Sequence, residues 1–384
     1  MQQIRDLNMA VAGELRDMAM VHASEHGRFA YKRAARAVLA LETPLDAFVA
    51  QHSLRDVPYI GPASERIILE CLAHGRSPAV GRAIDGSGRR AEIEKAHAFR
   101  TNFLSRAGAL QALAAPLPGV VARADYRGDL QMHSEWSDGG ASLGELAEAG
   151  RARGYAFIGV SDHSYGLRIA RGMSMADAVR RHAEIDRLNA EWAGAFRVLK
   201  AIEANIPREG GVDMTDPELA EFEIVLAAPH SLLRKADDQT ERMLATVRHP
   251  GVHVLAHPRG RMYSRQGVLA RWDEVFDEAA RRDVAIELDG DPYRQDLDWT
   301  LAARARAAGC LFAIDSDAHG GDELEYSEIG LAHARLAGIP AERVINTWPV
   351  EVLLDWARSR HVRARGRKSG PRPAARTTRV RKAS

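Results

Sequence analysis

A chain of 384 residues, 46% apolar and 27% charged, is long enough for two domains and a tail, and it holds no run of about 18 apolar residues that would span a membrane. Its charged N-terminus lacks the apolar stretch of a signal peptide, so the sequence reads as cytoplasmic, and with only Cys71 and Cys310 it excludes a disulfide framework and a thiolate metal site. The net charge of +1 is uneven: eleven lysines and arginines and no acidic residue fall between Arg358 and Ser384, leaving 42 basic against 52 acidic residues, or −10, in the body.

Residues 1–115 carry apolar positions at helical spacing, as in AYKRAARAVLAL and ASERIILECLA, and read as a small all-α domain. The stretch APLPGVVARADYRG, with two prolines and two glycines, reads as a linker over 116–127. From 128 to 357 seven short apolar runs, DLQM, FIGVS, VLKAIE, EIVLAA, VHVLA, VAIEL and LFAID, alternate with helical or loop segments. Strands buried on both faces and alternating with helices make a parallel sheet, and seven such units suggest an irregular (β/α)7 barrel, with an open doubly wound sheet as the alternative. The remainder, 358–384, is basic, poor in large apolar residues and expected to be disordered: a solubilising tail or an arm for nucleic acid.

The side chains at the C-terminal end of each run point to chemistry. In chain order they are Gln131, His133 and Asp138; Asp162 and His163; Glu203; His230; His257; Glu287 and Asp289; and Asp315, Asp317 and His319. In a parallel barrel all such ends share one face, where barrel enzymes place their sites. One histidine at a strand end is ordinarily just a satisfied polar residue, but seven agreeing ends imply a metal site. Imidazole and carboxylate without thiolate suit Zn²⁺, Mn²⁺ or Fe²⁺, and so many ligands exceed what one ion needs, which implies two or three. Arg259, Arg261 and Arg294 are candidates to grip a substrate phosphate, the alternative being surface arginines on loops. His182, His249, His253 and His333 lack the strand-end placement and read as structural or solvated.

The motifs GDLQMHSEWSDG, GVSDHS, AIEANI, APHS, LAHPRGR, ELDG and DSDAH resemble, in this order, those of the PHP (polymerase and histidinol phosphatase) domain of bacterial family X DNA polymerases, a metal-dependent 3′-end-processing domain. The resemblance implies one ion held by His133, Glu203 and Asp317, a second by Glu203 with His230 and His257, and a third by Asp138, His163 and His319, with Glu203, Asp317 and His319 central to catalysis. Gln131 stands where many members have a histidine, which makes it a weaker, uncharged candidate ligand. Arg261 and Arg294 match family positions and Arg259 does not.

The segment before it resembles the same polymerases' helical DNA-binding domain, with RDVPYIGPASERI in place of the helix-hairpin-helix. Pro58, Ile60 and Gly61 are thereby the candidate DNA contacts. The turn lacks one of the hairpin's two glycines, and the position of the lyase nucleophile falls on Ile67, so no lyase activity is expected. Too few residues remain for a polymerase palm, and no Asp-X-Asp pair stands among residues 1–128. The function expected is metal-dependent phosphoester hydrolysis on DNA 3′ ends, the alternatives being a small-metabolite phosphomonoesterase and a non-catalytic DNA-binding protein with structural metals. No membrane and no required protein partner are expected.

Overall fold

A computed structural model of the chain describes residues 6–114, 116–192 and 194–367, the side chains of 361–367 excepted. Each of the seven apolar runs forms, or leads into, a parallel strand: β1 (Gly128–Asp129), β2 (Phe157–Val160), β3 (Arg197–Asn205), β4 (Ile224–Ala228), β5 (Val254–Leu255), β6 (Ala285–Asp289) and β7 (Leu311–Asp315). They lie side by side in chain order. The ring closes where Met132 bridges Ala318 in parallel, His133 N–H donates to the Ala318 carbonyl at 2.7 Å and Leu130 N–H donates to Asp315 Oδ1 at 2.7 Å. The fold is the expected (β/α)7 barrel and not an open sheet.

Three of the helices that follow strands begin on a side-chain cap, Asp298 serving Trp299–Ala307. Ser142 and Glu145 box the start of Leu143–Ala152, and Ser174 and Asp177 that of Met175–Glu191. The helix Val350–Arg367 closes the barrel's N-terminal end, where Leu353 and Ala357 pack with Ile224, Val254, Ala285 and Ala313. Truncating Leu353 to alanine there would leave a cavity costing about 2–5 kcal/mol. His253, buried beneath this helix, has Nε2 3.1 Å from the Ala357 carbonyl, a structural role as expected.

This helix corrects the boundary set at Arg358. Helical structure continues to Arg367, and Arg360 is buried, its Nε donating to the Val252 carbonyl at 3.0 Å and its guanidinium also to that of Arg282. Apolar Ala357 and Leu353, one and two turns earlier, carry the helix onto the barrel, and Arg360 continues that face. The expected disordered tail otherwise falls on residues 368–384, which lie outside the described residues.

The described residues 6–114 form seven α-helices, from Leu7–Val21 to Arg106–Ala114. Val11, Leu15, Ala34, Val38, Ile67 and Ile68 are among the fully buried residues of their core. The same core takes in Tyr263 and Tyr293 from the loops after β5 and β6, so the helical region sits against the C-terminal, ligand-bearing side of the barrel. Its last helix packs through Ala109 and Ala112 on Ile329 and Ala332 of the barrel helix Ser327–Leu336.

Candidate metal centre

Glu203, at the end of β3, is buried amid four imidazoles. Its Oε1 lies 2.8 Å from His257 Nε2 and 3.4 Å from His230 Nε2; its Oε2 lies 2.9 Å from His163 Nδ1 and 3.4 Å from His133 Nε2. Asp317 Oδ1 is 3.0 Å from His133 Nε2, and Asp138 Oδ1 is 3.5 and 3.6 Å from Nε2 of His163 and His319. The His133 ring stacks on His163 with centroids 4.3 Å apart. All eight expected ligand residues therefore meet at one place, although they are spread from residue 133 to residue 319.

The backbone is bent to deliver them. His257 (φ +24°) and Asp317 (φ +54°) occupy the left-handed region that non-glycine residues avoid, a local cost typical of functional positions. In the loop carrying Asp138, a Cβ at Gly139 would lie 2.0 Å from the His133 carbonyl, so only glycine lets this loop fold back on the ligand.

A supporting layer orients the ligands. Asp162 accepts from Ser134 N–H (2.8 Å), Ser134 Oγ (2.9 Å) and Ser137 Oγ (2.7 Å), and pairs with the fully buried Arg181 at 2.8 Å. Burial opposes its charge, but Arg181 outweighs that and holds the carboxyl below its ordinary range. Glu287 accepts from the backbone N–H of His257 at 2.5 Å. Gln131, expected as a weak ligand, is buried beside Glu287, and with its amide turned so that the nitrogen donates it lies 3.2 Å from Glu287 Oε2. Arg181 and Asn205 escape a reading of the sequence, because nothing in a lone helix arginine or a strand-end asparagine announces what it will hold.

The donor set fits divalent cations. His230 Nδ1 lies 3.2 Å from Asn205 Oδ1, and His319 Nδ1 lies 2.9 Å from the Asp317 carbonyl. Each Nδ1–H donates there, which turns the Nε2 lone pair of each ring toward a carboxylate oxygen. Nδ1 of His133 and His257, Asp138 Oδ1 and Glu203 Oε2 are buried without a hydrogen-bond partner. Two overlapping groups, His133/His163/His319 and His163/Glu203/His230, each bring three ligand atoms within 4.8 Å of one another. Lone pairs facing one another in a buried site need a cation between them. Without metal, burial disfavours a charged His319, yet its bond with Asp138 and the charge of Asp317 push it up to about 9. Burial and then Arg294 drive His257 down to about 4.

Of the three arginines expected to grip phosphate, only Arg294 reaches the cluster, with Nη2 3.0 Å from Asp317 Oδ2 and Nε 3.1 Å from Asp289 Oδ2. Arg259 and Arg261 are corrected. Arg259 pairs with Asp296 (2.9 Å) and Asp298 (2.7 Å), while Arg261 donates to the carbonyls of Gln295 (2.7 Å) and Thr101 (3.0 Å) and lies over the Phe103 ring. Both are consumed in joining the loops and the helical region.

The expected DNA contacts at the hairpin are also corrected. Ile60 is buried in the helical core, and the Gly61 N–H already donates to Ser64 Oγ at 3.1 Å. Pro58 has no N–H to offer. Ile67, at the lyase position, is fully buried. Among the described residues, no helix is long and apolar enough to cross a membrane.

No family model matches the chain. Over 222 residues it is 35% identical to the DNA polymerase/3′-5′ exonuclease PolX of Bacillus subtilis, covering 57% of this chain and 39% of that protein. It is 30% identical over 244 residues, 59% of its own length and 93% of the relative's, to a "probable phosphatase" of Serratia proteamaculans. A histidinol phosphate phosphatase from Lactococcus lactis, solved with zinc, L-histidinol and phosphate, aligns at TM-score 0.38 and 13% identity over 62% of this chain and 94% of its own. The phosphatase relative is matched over nearly its whole length, and the chain belongs to the PHP (polymerase and histidinol phosphatase) family, hydrolases that act on phosphate esters.

Proposed function

We propose that the chain processes DNA 3′ ends, as a 3′-5′ exonuclease or a 3′-phosphatase, at a cluster of two to three divalent ions, Zn²⁺ or Mn²⁺. The observation that carries the reading is Glu203, one buried carboxylate flanked by His133, His163, His230 and His257. His133, Glu203 and Asp317 would hold one ion, Glu203, His230 and His257 a second, and Asp138, His163 and His319 a third. Such ions lower the pKa of bound water toward about 7 and neutralise charge on phosphoryl and leaving oxygens.

The chain's own groups prepare that chemistry. Burial works against the charged forms of Glu203 and Asp317, yet His163 and His230 around the first and Arg294 beside the second keep both carboxyls ionised well below their ordinary range. Arg294, tied to Asp317 on the rim, offers a fixed positive charge to an incoming phosphate.

DNA as substrate is supported by the 35% identity to an exonuclease and by the helical region seated on the ligand-bearing side of the barrel. A small phosphomonoester is the second reading, favoured because the phosphatase relative is matched over 93% of its length and the polymerase over 39%. The test compares a 3′-recessed oligonucleotide, a 3′-phosphate oligonucleotide and small phosphomonoesters, each with Mn²⁺ and with Zn²⁺. Release of 3′-terminal nucleotide or phosphate is expected. Cleavage of small esters alone would establish the second reading, and no cleavage with either metal would leave a DNA-binding protein with structural metals.

A further inference from the structure

Most buried arginines near the metal centre have acidic partners: Arg181 has Asp162, and Arg259 and Arg261 share Asp298. Two rim arginines do not. Arg265 closes a tight turn in the loop after β5, where Met262 and Arg265 exchange two backbone hydrogen bonds of 3.0 Å. Its Nε donates to the Gly260 carbonyl at 3.0 Å, and among the described residues the guanidinium has no carboxylate within ion-pair distance. Arg234 is exposed in the loop after β4, four residues beyond His230, and likewise lacks an ion pair among the described residues.

The loops that carry these arginines are fastened together. Leu233, next to Arg234, packs directly on Gly260 (φ +53°), where a Cβ would lie 2.8 Å from Leu233 Cδ2 and 3.1 Å from the Pro229 carbonyl. The residue beside Arg234 thus touches the residue that holds Arg265. Tyr263 N–H donates to the Tyr293 carbonyl at 2.7 Å, which pins the loop after β5 to the loop after β6 just before Arg294. Three neighbouring loops, after β4, β5 and β6, thus carry Arg234, Arg265 and Arg294 respectively. Burial, then the positive charges of Arg294 and Arg234, lower the proton affinity of Arg265, which has no carboxylate of its own among the described residues, whereas Arg294 is paired with Asp289 and Asp317. Cations gathered without counter-charge are stabilised when an anion arrives.

We propose that Arg234 and Arg265 form, beside Arg294, a second anion subsite that takes the phosphate adjacent to the scissile ester, so that the site favours a polynucleotide end over a substrate with one phosphate. This rests on the phosphoesterase reading above and deepens it by naming what distinguishes the substrate class.

The test uses the full chain, metal-loaded, and the double variant Arg234→Gln/Arg265→Gln. The probes are dithymidines whose methylphosphonate linkage resists hydrolysis, with and without a 5′-phosphate that is checked to be intact after each titration. Wild type is expected to bind the phosphorylated probe about tenfold more tightly, the worth of one charge-assisted contact. The variant is expected to lose that preference while keeping its metal content. Equal binding of both probes by wild type, or an undiminished preference in the variant, would overturn the subsite. Hydrolysis of bis(p-nitrophenyl) phosphate is followed in parallel. Its absence with both metals counts against the phosphoesterase reading alone, because the binding preference decides the subsite without turnover.

Discussion

Gln295 holds Leu104 by both of its backbone groups: Oε1 accepts from the N–H at 2.8 Å and Nε2 donates to the carbonyl at 2.7 Å. Gln295 is fully buried, has φ +46°, and directly follows Arg294. Its own carbonyl accepts from Arg261, which also donates to Thr101. The segment 101–104 of the helical region is thereby part of the scaffold that fixes the loop of Arg294.

Replacing Gln295 with alanine should therefore act twice. Two buried backbone groups of Leu104 lose their partners, a destabilisation of about 2–3 kcal/mol readable in urea unfolding. Arg294 loses its fixed anchor, so KM for a one-phosphate chromogenic ester should rise more than kcat falls. Unchanged KM with lowered stability would confine Gln295 to a structural role.

Glu203→Gln keeps the side chain's size and removes its charge. Four imidazoles would then face a neutral amide, and metal content should fall below that of wild type, with activity down at least about a hundredfold. Elemental analysis beside a rate measurement checks both. Retained metal and retained rate would show that the carboxylate is not shared between ions.

Metal loading should release protons. His319 without metal is held up to about 9, so near pH 7 it carries a proton that a ligating imidazole cannot keep. Titration calorimetry of Mn²⁺ in two buffers of different ionisation enthalpy should report proton release near pH 7 that shrinks as pH rises past 9. Identical heats in both buffers would remove His319 from the ligand set.

His333 makes stability depend on pH in the opposite half of the scale. It is buried against Gln295, with Nε2 2.9 Å from Gln295 Oε1, and Trp299 N–H donates to its Nδ1. Burial and then Arg261 push it down to about 3. The unfolded chain takes up this proton near pH 6.5 and the folded chain does not, so the stabilisation is whole above 6.5 and declines as pH falls toward 3. At pH 5 the loss should be about 2 kcal/mol relative to neutral pH. In His333→Gln this part of the pH dependence should disappear from denaturation curves measured at the two pH values.

The strands are legible in the sequence because a parallel strand buried on both faces has to be apolar throughout, as IVLAA of β4 is. The ligand residues are legible for a related reason, since parallel strands put His163, Glu203 and Asp317 on one face whatever the loops do. Arginines are not. Whether Arg259 reaches the cluster is decided by Asp296 and Asp298, 37 and 39 residues away, which claim it first. Arg234 and Arg265 come to the rim through loop contacts such as Leu233 on Gly260, for which the sequence carries no periodic signal. The position of Gln131 marks it as a candidate ligand, and only packing reveals that it lies beside Glu287.

The same limit moves the test of the basic C-terminus. A cut after Trp356 would remove Ala357, whose carbonyl faces His253, and Arg360, which donates to the carbonyls of Val252 and Arg282. Buried backbone acceptors at the barrel's N-terminal end would lose a charged donor, costing about 1.5–3 kcal/mol, and weaker DNA binding by such a protein would be confounded with unfolding. A cut after Arg367 spares these contacts and still removes six lysines and arginines between 368 and 384. If those charges engage single-stranded DNA, each releases counterions and contributes about 0.7 to the slope of log K against log salt. Truncation after Arg367 should flatten that slope by as much as about 4 and weaken binding to every sequence alike, while bis(p-nitrophenyl) phosphate hydrolysis and the unfolding midpoint stay as they were. Equal salt slopes for the full and shortened chains would leave the segment a solubilising appendage.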